Sequence, residues 1–146
     1  MVNIQMLKIR VIAVGKIKSG PIRELVEDYA SRIKHYQQIE CVAVKDEQST
    51  IKALGPDDIL IACDAKGEQK TSEQVASLLE TYQKRNIKNL IFFIGGPEGI
   101  NAELKQKADK LLSFSKMTFP HELAQAILLE QIYRACTIIR GERYHK

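Results

Sequence analysis

Four groups of residues in this 146-residue chain have types and spacings suited to chemistry. Glu130 and Arg134 lie four apart, in the order that favours an ion pair on one helix face. They stand among apolar neighbours, so the pair is either aimed at a site or simply a solvated structural pair. The tail Arg140-Gly141-Glu142-Arg143-Tyr144-His145-Lys146 is basic and aromatic. Arginine and lysine match phosphates, tyrosine stacks on a base, and histidine exchanges protons near neutrality. The alternative for the tail is a frayed, solvated terminus. Ser113-Phe114-Ser115-Lys116-Met117-Thr118-Phe119-Pro120 offers backbone amides, hydroxyls and two aromatic faces, which suit an adenosine-like ligand. The alternative is a loop whose Phe114, Met117 and Phe119 fill the core. Finally, the apolar run Ile91 to Ile94 stops in Gly95-Gly96-Pro97-Glu98-Gly99. A strand that ends in a glycine turn before a helix exposes backbone N–H groups at the carboxyl edge of a sheet, where open α/β folds bind ligands. Neither the dinucleotide fingerprint nor the phosphate-loop spacing is present, so the turn alone is a weak signal. His121 reads as a structural hydrogen-bonding residue and His35 as a dipole-compatible residue at a helix C-terminus.

These groups need elements to hold them. Leu7 to Gly15 reads as a largely buried strand. A basic loop, Lys16 to Gly20, leads to a helix with Gly20 as cap and Pro21 at its first position, running to about Tyr36. Ile39 to Val44 is a second strand. Lys45 to Thr50 reads as loop, with a short helical turn over Thr50 to Leu54. Ile59 to Cys63 is a third strand, with a turn over Asp64 to Gly67. Thr71 and Gln74 match a capping box for a helix to about Arg85. Asn89 to Ile94 is the fourth strand. Asn101 caps a helix to about Lys110, Leu111 to Phe114 is a fifth strand, and Pro120 opens a last helix, His121 to Ile139, ended by Gly141. Strands separated by helices predict one α/β domain over residues 1–146, a mostly parallel sheet with helices on both faces. The last helix is apolar nearly all round and must be covered on two sides, one by the sheet and the other by a partner subunit across a two-fold axis, the alternative being a helix buried wholly within one chain.

The chain is 45% hydrophobic and 27% charged, with a net charge of +4, so an RNA partner is permitted but not demanded. No apolar run has the length of a membrane helix and no signal-peptide run stands at the N-terminus, so the expectation is a cytoplasmic protein with no membrane association. Cys41, Cys63 and Cys136 lie far apart with no metal-ligand spacing, which predicts buried thiols and no metal site.

In order, Ile94 to Gly99, Leu112 to His121, Glu130-Gln131-Ile132-Tyr133-Arg134-Ala135 and Arg140 to Lys146 resemble the large-subunit ribosomal RNA methyltransferase H family of the SPOUT class. Ile12-Ala13-Val14-Gly15-Lys16 fits as well, and the resemblance spans essentially the whole chain. It implies a SPOUT-type α/β knot, with a C-terminal trefoil knot that connection rules alone would have argued against. It implies a homodimer that binds S-adenosyl-L-methionine in the knot and methylates N3 of a pseudouridine in 23S ribosomal RNA within the ribosome. By position it implies cofactor contacts at Cys63, Gly95, Phe114, Ser115, Lys116, Met117, Thr118 and Phe119. On the catalytic side it implies Glu130, Arg134, Tyr144 and His145. Three departures stand out: the family commonly has leucine at Cys63 and often arginine at Gln125, and Lys45 to Asp58 is shorter than usual.

The chemistry expected is an in-line displacement on an already activated methyl. The protein must hold the acceptor nitrogen near attack geometry and manage one proton. Arg134 would stabilise developing negative charge or anchor a phosphate, with Glu130 orienting it. Tyr144 would stack on the base, and His145 would take the proton. Two other readings are a non-catalytic dimeric nucleotide- or RNA-binding module and a SPOUT enzyme acting on transfer RNA.

Overall fold

The computed structural model describes residues 6–144. Ten elements follow in order: β1 (Lys8–Val14), α1 (Gly20–Ile33), β2 (Gln38–Val44), α2 (Glu47–Ala53), β3 (Ile59–Gln69), α3 (Ser72–Lys84), β4 (Asn89–Ile94), α4 (Ala102–Lys107), β5 (Lys110–Ser113) and α5 (His121–Ile139). The strands form one sheet in the order β2-β1-β4-β3-β5, and every pairing is parallel. The α/β reading from sequence therefore holds.

Side chains alternate across the central strand β4, as the two-residue period of a strand requires. Leu90, Phe92 and Ile94 join Ile9, Val11 and Ile61 in a core that also holds Val26 of α1, Leu79 of α3 and Leu129 and Ile132 of α5. Ile91 and Phe93 face the other way, into a smaller core with Ile12, Leu60, Ile51 of α2 and Leu104 of α4. One face of the sheet thus carries α1, α5 and α3, with α5 packed against both neighbours. Sheet and flanking helices bury eight of the 19 residues of α5 within one chain, leaving a partly exposed stripe that includes Leu123, Ile127, Arg134 and Ile138.

Several boundaries differ from the sequence reading, each for a local reason. Ser19, not Gly20, caps α1, because its side chain accepts the Ile22 N–H at 3.4 Å. The segment after β2 is more helical than expected: Asp46 accepts the Ser49 N–H at 2.9 Å and starts a two-turn helix. α4 stops at Lys107 and β5 begins at Lys110. The largest correction is β3, which does not turn at Asp64 but continues to Gln69, pairing with β5 on both sides of an irregularity between Cys63 and Glu68. Gly67 permits this. A Cβ there would lie 2.6 Å from the Leu111 carbonyl carbon. The capping box at Thr71 and Gln74 and the Asn101 cap both form as expected.

Candidate active site

The carboxyl ends of β4 and β5 and the irregular middle of β3 open into a cleft of about 800 Å³. This is the edge where a parallel sheet presents ligands. One wall is Cys63, Asp64, Ala65 and Lys66, and the floor is Ile94, Gly95 and Gly96 with Ile100 and Leu112. Phe114, Ser115, Met117, Thr118, Phe119 and Pro120 form the opposite wall, closed by His121 and Ala124 at the start of α5. Seven of the eight residues expected to touch a cofactor line it. The exception is Lys116, which is exposed and outside the lining.

The glycine turn is tight for its own sake. The Gly99 N–H donates to the Gly96 carbonyl at 2.9 Å across Pro97 and Glu98, and Gly99 adopts a positive φ of 83°. A Cβ on Gly95 would lie 2.8 Å from Ile100 and 2.9 Å from Gly99, so glycine is demanded there by closure of the turn itself. The loop after β5 is shaped by serines. Ser113 donates to the Ser115 carbonyl at 2.8 Å, and the Met117 N–H donates to the Ser115 hydroxyl at 3.0 Å. Phe114 packs on the core, but Met117 and Phe119 remain 73% and 37% exposed. Exposed apolar side chains at a cleft mouth are a contact surface, not core filling.

Asp64 and Lys66 were not anticipated as cleft residues. Their position directly after the apolar run Ile59 to Cys63, at the ligand-binding edge of the sheet, was the signal available. Asp64 pairs with Lys105 of α4 at 3.1 Å and accepts the Lys66 N–H at 2.8 Å. Burial alone would raise its carboxyl, but those two partners outweigh burial and hold it below the usual carboxylate range. Burial pushes the Cys63 thiol up to about 12. The side chain thus stays a protonated packing group, not a nucleophile.

The second expected set gathers elsewhere on α5. Glu130 Oε2 accepts from Arg134 Nε at 3.0 Å, from Arg134 Nη2 at 2.7 Å and from the Tyr144 hydroxyl at 3.0 Å. Glu130 Oε1 accepts from Gln131 Nε2 at 2.6 Å. The Tyr144 ring meets the Tyr133 ring edge-on at 4.7 Å, and the Arg134 guanidinium lies 5.1 Å from its centre. Tyr29 of α1 brings its hydroxyl to 3.3 Å from that of Tyr144. The tail is thereby folded onto α1 and α5 through Tyr144. The hydrogen bond to Glu130 secures the Arg134 charge, and burial followed by the Tyr29 and Glu130 hydrogen bonds raises the Tyr144 phenol. His145, the expected proton acceptor, lies outside the described residues. Gln125 is buried, and its Nε2 has no hydrogen-bond partner among the described residues.

The two sets do not meet in one chain. Ala124 is the last residue of α5 in the cleft lining. Arg134 stands ten residues further along the helix, about 15 Å at 1.5 Å per residue.

An open parallel sheet with a glycine-turn cleft, closed by a loop running into a buried C-terminal helix, is the architecture of the SPOUT methyltransferases. Residues 7–145 match the family model described as "Predicted SPOUT methyltransferase". Among curated relatives, the ribosomal RNA large subunit methyltransferase H of Coprothermobacter proteolyticus is 45% identical over 140 residues, covering 96% of this chain and all of that protein. The protein of the same name from Natranaerobius thermophilus is 40% identical over 158 residues, covering 95% of this chain and 99% of the relative. The chain belongs to the ribosomal RNA large subunit methyltransferase H family. Its fold is also that of a probable methyltransferase from Bordetella pertussis Tohama I, with a TM-score of 0.57 at 9% identity over 88% of this chain and 94% of that one. The SpoU methyltransferase AviRb from Streptomyces viridochromogenes, solved in complex with the cofactor AdoMet, aligns with a TM-score of 0.53 at 13% identity, covering 98% of this chain and 61% of that one. The alignment with the Natranaerobius protein is longer than this chain, so that relative carries residues this chain lacks.

Proposed function

We propose that this chain uses S-adenosyl-L-methionine to methylate N3 of a pseudouridine in large-subunit ribosomal RNA on the assembled ribosome, as one domain spanning residues 1–146 and as a homodimer. The cleft suits such a cofactor. Its volume lies in the range of small-molecule sites, and its lining is mostly apolar with a few converging polar groups. Phe114, Met117 and Phe119 offer faces for an adenine. The Gly95 and Ser115 to Thr118 backbone offers hydrogen bonds, and Cys63 contributes packing. The bound cofactor would supply an electrophilic methyl group.

The chain's own residues have the remaining tasks. Pseudouridine N3 is a poor nucleophile while protonated, so its anion must be stabilised. Arg134, held charged by Glu130, is suited to that charge or to a neighbouring phosphate. Tyr144, with its hydroxyl fixed by Glu130, is suited to position the base. His145 is the candidate proton acceptor.

The separation of cleft from cluster on α5 carries the dimer reading. Two α5 helices packed antiparallel and centred near Ile127 would place the partner's Glu130 beside Ala124 and the partner's Arg134 beside Pro120. The partly exposed Leu123 and Ile127 supply an apolar surface for that contact. A C-terminal knot is compatible with the position of β5 beside β3. The test is transfer of labelled methyl to ribosomes lacking the modification, followed by mapping of the modified base. Incorporation at one pseudouridine of large-subunit RNA is expected. Label on transfer RNA instead, or cofactor binding with no transfer to any RNA, would refute the assignment.

A further inference from the structure

The loop between β1 and α1 takes no part in the site described so far, yet it is tied to that site. Glu122, in the first turn of α5, accepts the Lys18 N–H and the Ser19 N–H at 3.1 Å each. Those two bonds hold the Glu122 carboxyl below its usual range, helped by the nearby charges of His121 and Lys18. Glu122 directly follows Pro120 and His121, which wall the cleft. The loop therefore stands against the same turn that closes the cleft.

Its other anchors are equally definite. Ser19 caps α1, and Arg23 Nη2 donates to the Ile17 carbonyl at 3.0 Å. Ile17 packs against the core. With its backbone fixed, the loop leaves Lys16 and Lys18 exposed, and the Arg23 side chain is exposed one turn away. Neither lysine has a carboxylate within ion-pair distance among the described residues. The first turn of α1 carries no acidic residue either. The anion that a helix start favours is supplied from outside α1 by Glu122, whose oxygens are taken up by the Lys18 and Ser19 N–H groups. The exposed lysine side chains are left for a partner.

We propose that Lys16, Lys18 and Arg23 form a phosphate-contact patch that grips the backbone of the substrate RNA strand next to the nucleotide entering the cleft, with Glu122 as the residue that positions it. The proposal rests on the methyl-transfer reading for its substrate. The patch carries no base-reading group and acts on any sequence. It adds binding energy and register, and base selection lies elsewhere. It also supplies a strand-holding surface to a protein whose net charge of +4 marks no separate RNA-binding module.

The experiment compares the wild-type chain with a Lys16→Gln/Lys18→Gln double variant, which keeps the Arg23 and Glu122 contacts to the loop. Calorimetry with S-adenosyl-L-methionine alone should give the same affinity for both. With ribosomes as substrate, KM should rise roughly tenfold with kcat within about twofold, and the salt slope of log(kcat/KM) should become shallower by about 2, one for each lysine. Glu122→Gln should raise KM by a smaller factor with an unchanged slope, because both lysines remain. Co-sedimentation of protein with ribosomes in the absence of cofactor, across a salt series, separates the two readings. If the wild type fails to methylate but the double variant still loses salt-sensitive co-sedimentation, the patch stands and the proposed reaction falls. Equal co-sedimentation and an equal salt slope for wild type and double variant would overturn the patch, whatever the methylation assay shows.

Discussion

If each site takes its cleft from one protomer and its Glu130-Arg134-Tyr144 cluster from the other, two inactive variants must rescue each other. Arg134→Ala removes the cluster's cation and leaves the cleft of its own chain intact. Thr118→Trp fills the cleft from its exposed rim and leaves the cluster intact. The cleft-to-cluster distance of about 15 Å along α5 is too long for an arginine side chain to span within one chain. In an equimolar mixture about half of the dimers are mixed, and each mixed dimer holds one whole site and one doubly damaged site, so about a quarter of wild-type activity should return. Each variant alone should be near background. Calorimetry provides the control, since Arg134→Ala should still bind S-adenosyl-L-methionine and Thr118→Trp should not. The mixture must be unfolded and refolded together, or exchanged at low concentration, before labelled methyl transfer to ribosomes is measured. Activity that stays at background after verified subunit exchange would refute the shared site, as would a monomeric mass by light scattering at assay concentration.

Other outcomes follow from individual contacts. Gly67→Ala puts a methyl 2.6 to 2.8 Å from the Leu111 and Leu112 backbone and should cost about 3 kcal/mol, whereas Gly20→Ala meets nothing within 4 Å and should add about 0.5 kcal/mol. Urea midpoints should therefore move in opposite directions. Gln125→Met removes a buried donor without a partner at nearly constant volume and should raise stability by about 1 kcal/mol in the same assay. The Tyr36 phenol, donating to Glu142 Oε2 at 2.7 Å, is pushed up to about 12, first by that hydrogen bond and then by burial. Because the folded value is raised, its contribution to stability is complete below about pH 10 and is lost as pH rises toward 12. Glu142→Gln should return its phenolate absorbance midpoint toward about 10, and an unchanged midpoint would remove Glu142 as the cause.

The features legible in the sequence were those set by neighbours a few residues apart. The Thr71-Gln74 box, the Asn101 cap and the Asn89 to Ile94 strand depend on local hydrogen bonds and on apolar runs, and all form as expected. The extension of β3 was hidden because Asp64 to Gln69 has no apolar alternation. It is ordered by a distant partner, β5, and by the close approach of Gly67 to Leu111. The cap at Asp46 was readable in principle, but its helix is short and polar. Most of the cleft lining followed from the two loop segments. That Lys116 stays outside the lining follows from the fold of the loop after β5, and that Asp64 is bolted to Lys105 follows from how β3 and α4 pack, neither of which any spacing along the chain encodes.

The last helix of the chain is the middle helix of its layer. Until residues 121–139 have been made, α1 and α3 flank an open apolar trough floored by Ile9, Val11, Ile61, Leu90 and Phe92. Vectorial synthesis therefore delivers the sheet and its flanking helices before the piece that covers them. The main core closes only once α5 has been made, and a chain held short of α5 exposes an apolar trough of the kind that aggregates. Parallel pairing between strands far apart in sequence slows closure further. A protein proposed to modify ribosomes is thus one whose own main core waits for its α5 to leave one.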